Sequence, residues 1–122
     1  MNKKIANVLP ELLSTTNELF IIISHVFGLN MHYVKSLEKK IEKRKRKRIV
    51  LEICGIYPQV SELLNMINAL QKKGFKVVLS SDYPYPDFSG EMFLEYINTV
   101  RNILPASVWK KITFLNPKEL LF

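Results

Sequence analysis

A single cysteine, Cys54, stands in 122 residues. It cannot close an intramolecular disulfide, and cysteine-rich zinc sites need more thiolates than this chain owns. The expectation is a reducing, intracellular compartment. Only His25 and His32 are available as imidazole ligands, so a histidine-based metal site is not expected, and neither is a resident cofactor. With four glycines and six prolines, collagen and low-complexity classes are excluded. Long apolar runs are also missing: Leu19 to Leu29, with Ser24 and His25 inside it, is too short to span a bilayer as a helix. The opening residues have a basic start but lose their apolar stretch at Pro10 and Glu11, which makes a poor signal peptide. There is no Gly-rich dinucleotide loop and no Gly-Lys-Ser/Thr phosphate loop. What remains is 48% hydrophobic and 24% charged, enough to bury a core in one domain spanning residues 1–122.

Acidic residues are the scarce charge, 11 against 18 basic ones, and the shortfall is local. Lys35 to Arg48 carries nine basic and two acidic side chains, leaving nine of each sign in the rest of the chain. The whole imbalance is one patch. Its densest part is six consecutive cations, Lys43, Arg44, Lys45, Arg46, Lys47 and Arg48. They repel one another unless solvated or met by an anion. RNA or DNA phosphate, an anionic membrane surface and an acidic protein face all meet that need. A solvated helix end, its cations complementing the helix dipole, meets it too.

From Arg48 onward the pattern is regular. Arg48 to Cys54 is β-branched and apolar, as a buried strand is. Val60, Leu63, Leu64, Ile67 and Leu70 then fall at helical spacing, and Gly74 stops that helix. Phe75 to Ser80 reads as a second strand, followed by the turn-rich Ser81 to Asp87. A helix through Phe93, Tyr96, Ile97, Val100, Ile103 and Leu104, entered near Asp87 or Ser89, ends at Pro105, and Ile112 to Leu115 reads as a third strand. Residues 1–47 are less clearly patterned. The simplest reading adds a helix over Val8 to Leu13, a strand over Leu19 to Ser24 and a helix through Val34, Leu37 and Ile41. A helical arm from Pro10 to Lys47 is the rival, and three consecutive isoleucines favour the strand. Together these predict an α/β fold: a three-layer, mainly parallel, Rossmann-like sheet of about four strands with helices on both faces.

In such a sheet ligands bind beyond the carboxyl ends of the strands. That places Glu52, Cys54 and Gly55 after one strand, Ser80, Ser81 and Asp82 after the next, and Asn116 after the last, with His25 ending a fourth. Glu52 stands out, because a carboxylate inside an apolar strand is costly unless it lies at an edge, is paired or has work to do. Asp82 suits a turn, and Tyr83, Tyr85 and Phe88 suit either ring stacking or loop packing.

Residues 48–117 resemble the haloacid dehalogenase-like phosphohydrolase superfamily. There a first strand ends in Asp-x-Asp-Gly-Thr; here the place reads Glu52-Ile53-Cys54-Gly55-Ile56. The following segment is similar to the second-motif region, with Ser81 at the phosphate-binding hydroxyl and Gly55 beside it. Lys110 or Lys111 fits the third-motif lysine. Phe114-Leu115-Asn116-Pro117 stands where the family holds Mg²⁺ with an acidic pair. The resemblance implies a HAD-like core. Glu52, Ser81, Lys110 and Lys111 are its surviving catalytic positions, and Mg²⁺ enters only if turnover survives. Aspartyl-phosphate chemistry needs short carboxylates and a charged metal cage, and Cys54, Asn116 and Pro117 supply neither. The expected function is a non-catalytic binding or assembly module that presents its basic patch to an anionic partner. The alternative is a phosphohydrolase or nucleotide-processing enzyme with a degenerate site.

Overall fold

The computed structural model describes residues 3–24, 31–54, 60–80 and 90–121. Helix α1 (Lys3–Thr15) runs through Pro10, held by Leu9 and Leu13, both buried in the core. Strand β1 (Ile21–Ile23) realises the three-isoleucine run as strand, shorter than the predicted Leu19 to Ser24, and α2 (Met31–Lys40) follows. The six cations Lys43–Arg48 form a 3-10 turn that leads directly into β2 (Ile49–Cys54). Then come α3 (Val60–Lys72), β3 (Lys76–Ser80) and α4 (Gly90–Ile103), close to the boundaries read from periodicity. The expected entry residues Asp87 and Ser89, and the turn Ser81 to Asp87, lie outside the described residues.

The sheet is parallel throughout, in the order β1-β2-β3, with Ile21 beside Ile49 and Leu51 beside Val77. Parallel pairing follows from connections that each contain a helix and are too long for hairpins. One core gathers Ile49, Leu51, Ile53 and Val77 with Leu9, Leu13, Leu37, Leu63, Ile67, Leu70, Val100 and Ile112. Because side chains alternate along a strand, those sheet residues share one face. The other face is more open. Val50 is fully buried there, but Ile22 is 58% exposed and Glu52 and Val78 are half-buried. The large core cluster lies on the Ile49, Leu51 and Ile53 face. Sequential strand order places the crossovers through α2 and α3 on the same side, since right-handed crossovers that advance in one direction do so.

Two expectations are corrected. Ile112 to Leu115 is not a strand: α5 (Ala106–Lys110) passes through a π-helical turn (Lys111–Leu115) into α6 (Asn116–Leu121). The sheet accordingly has three strands, not four, among the described residues. Four apolar residues do not separate strand from helix by period. Val108, Ile112 and Asn116 recur at helical spacing, and the Thr113 hydroxyl donates to the Trp109 carbonyl at 2.7 Å. Pro117 explains the wide turn. It has no N–H for the Thr113 carbonyl and its ring crowds that carbonyl, so the ladder loosens there, and the Asn116 N–H reaches back to Lys111 instead. The segment still reaches the sheet. Asn116 is buried and its side-chain amide donates to the Val77 carbonyl at 2.7 Å, at the edge strand that a fourth strand would have paired.

Gly74 ends α3 at φ 95°, a conformation L-residues avoid, and a Cβ there would stand 3.0 Å from the Lys43 carbonyl oxygen. The close approach seats the basic turn against the end of α3.

Candidate anion-binding site

A 3-10 turn has three residues per turn, so residues three apart line up. Lys43–Arg48 therefore forms three rows of two. Arg46 lies in the row that meets Gly74. Its guanidinium donates to the main-chain carbonyls of Glu38 (2.6 Å), Ile41 (2.9 Å) and Lys73 (2.9 Å), and it stacks 5.8 Å from the centre of the Phe75 ring. This one side chain ties the C-terminal ends of α2 and α3 together, where helix dipoles favour a cation. Arg48, 7% exposed, donates to the carbonyls of Leu13 and Thr16 and so closes the end of α1. The patch read from sequence thus divides. Arg46 and Arg48 turn inward to main-chain acceptors, while Lys43, Arg44 and Lys47 are exposed and Lys45 is half-buried.

Arg44, Lys45, Lys47 and Arg48 line a cleft of about 340 Å³ together with Asn17, from the segment between α1 and β1. Among the described residues no carboxylate lines it. Glu42 accepts from Arg44 at 2.6 Å; that bond and the charges of Arg44 and Lys45 hold the Glu42 pKa below its usual value. Glu38 is held low in the same way by its 2.9 Å pair with Lys73.

Lys76 extends the basic region. It opens β3, its side chain is 14% exposed, and it lies 6.0 Å from the centre of the Phe20 ring. Burial, then the ammonium charges of Lys47 and Lys111, hold its pKa below the usual lysine value. Glu119 pairs with Lys76 but is largely exposed, and solvent screens much of its compensating pull. Lys47, a cleft residue, and Lys111 are both near enough for their charges to act on Lys76, which begins β3 at the amino end of the sheet.

The carboxyl end is described only in part. Glu52 is half-buried beside Val78, and Ser80 closes β3. Gly55 and Ser81 lie outside the described residues, as do His25, Asp82, Tyr83, Tyr85 and Phe88. Lys110 and Lys111 are exposed in the α5 segment. The Lys111 charge is coupled to Lys76, and Lys76 is four residues, roughly 13 Å along a strand, from Ser80. Lys111 is thus gathered with the basic cleft. Among the described residues no group of three His, Cys, Asp or Glu side chains is placed to hold a metal ion, and no helix is long and apolar enough to cross a membrane.

Sequence reasoning missed Asn17, Phe20 and Lys76 as members of this site. The available signal was register: if the isoleucine run pairs with β2 from Ile21 opposite Ile49, Phe20 comes beside Arg48. No family model matches the chain, and comparison with curated proteins and with solved structures finds no match.

Proposed function

We propose that the chain is a non-catalytic binding module, a degenerate relative of the HAD-like phosphohydrolases, that grips a polyanion at the amino edge of its sheet. The observation that carries this reading is the cleft lined by Arg44, Lys45, Lys47 and Arg48, with no carboxylate among the described residues that line it. Cations held against one another cost free energy that an incoming anion relieves, and phosphate oxygens are strong acceptors for such donors. The inward pair Arg46 and Arg48 fixes the main chain on which the outward side chains stand, so the charges are presented from a set position. The sequence at the catalytic positions of the resemblance supports binding without turnover, since Cys54 and Asn116 replace acids there and Asn116 is committed to the sheet edge.

The test is a salt titration of a labelled RNA, as duplex and as single strand, against wild type and a variant with Lys43, Arg44, Lys45 and Lys47 changed to Gln. Each cation that no longer meets a phosphate should reduce the salt slope by about 0.9 on a duplex and about 0.7 on a single strand. Folding stability should move by only a few tenths of a kcal/mol per exposed charge, on the order expected for surface residues. Superimposable curves for the two proteins would remove the cleft as a binding site.

A further inference from the structure

We infer that the polyanion is a single-stranded nucleic acid, with Phe20 as the ring on which a base stacks; this rests on the polyanion reading and narrows it. Phe20 presents an aromatic ring that is 38% exposed. It belongs to the same surface as the cleft by three links. Asn17, three residues earlier, lines the cleft. The Lys76 ammonium is 6.0 Å from the ring centre and is charge-coupled to Lys47, a cleft residue. Pairing of Ile21 with Ile49 brings Phe20 alongside Arg48, another cleft residue.

An exposed ring among cations separates the candidate partners. A duplex keeps its bases stacked within the helix and offers phosphates, which need the lysines and arginines but not Phe20. A polyglutamate chain offers carboxylates but no ring to stack. A single strand presents phosphates and unstacked bases together, and sequence-tolerant binders combine a positive groove with aromatic stacking platforms for this reason. The pairing recurs at Phe114, 54% exposed, with the Lys118 ammonium 5.7 Å from its ring centre, three residues beyond Lys111.

Fluorescence anisotropy with a labelled oligouridine of about 12 nucleotides, the matching RNA duplex and polyglutamate decides it. The variants are Phe20→Ala, Phe20→Leu and Phe20→Trp, with melting curves to confirm folding. Wild type should prefer the single strand. Loss of one stacked base should weaken single-strand binding by about 5- to 150-fold in Phe20→Ala and Phe20→Leu, leave duplex binding unchanged, and be spared in Phe20→Trp. Equal affinity for strand and duplex, or an unchanged single-strand affinity in both Phe20→Ala and Phe20→Leu, overturns the inference while salt-sensitive binding leaves the polyanion reading standing. Binding to polyglutamate alone overturns it as well. Failure of wild type to bind any of the three removes both.

Discussion

Neighbouring arginines and lysines of the basic turn have opposite duties, and substitution separates them. Arg46 satisfies three carbonyls with one guanidinium. Glutamine at 46 is too short to serve them all, and lysine is a point charge without the planar fork. We expect Arg46→Gln to lower stability by about 1.5–3 kcal/mol, the range for hydrogen bonds to a charged group, read as a lower urea midpoint with an unchanged slope. Titratable residues add a pH signature. The Glu38 and Glu42 pKa values are held below the usual 4.5 by their cationic partners. Between those lowered values and 4.5 the unfolded chain binds more protons than the folded one. The stabilisation is therefore complete above 4.5 and is lost as the pH falls through the folded values. Glu38→Gln should flatten this acid limb in a plot of melting temperature against pH; an unaltered limb would show that the Lys73 pair adds nothing.

Among the elements, α3, β2, β3 and α4 were legible because period and stop signals agreed: alternation or continuous apolarity for strands, spacing of three and four for helices, then Gly74 or Pro105. The isoleucine strand was legible from side-chain branching alone. Ile112 to Leu115 was not, because four apolar residues satisfy either period and the deciding fact is tertiary. Asn116 needs the Val77 carbonyl, and the helical route brings it there. Removing that amide leaves a buried carbonyl without its donor. Asn116→Ala should cost about 1–3 kcal/mol, measured by urea unfolding, whereas a residue merely exposed on a C-terminal helix would cost a few tenths. The site was legible as a charge run but not as a cleft. Its composition is local in sequence, while Asn17, Phe20 and Lys76 join it only through strand pairing.

At the scale of the whole molecule, the proposed recognition surface lies away from the edge that an open α/β sheet ordinarily uses. The positive region gathers at the amino end of the strands, where β2 leaves the basic turn and β3 begins with Lys76. The turn is also where three helices finish: α1 through Arg48, and α2 and α3 through Arg46. Binding surface and scaffold are therefore the same stretch of main chain. A chain that has lost its fold scatters the cleft along with the helix ends, so it competes poorly for the partner. By mass action, a partner present at one hundred times its dissociation constant and bound by the folded form alone adds about 2.7 kcal/mol to the folding equilibrium. On the proposed reading, occupancy would act as a fourth tether on the three helices, raising the melting temperature as partner is added.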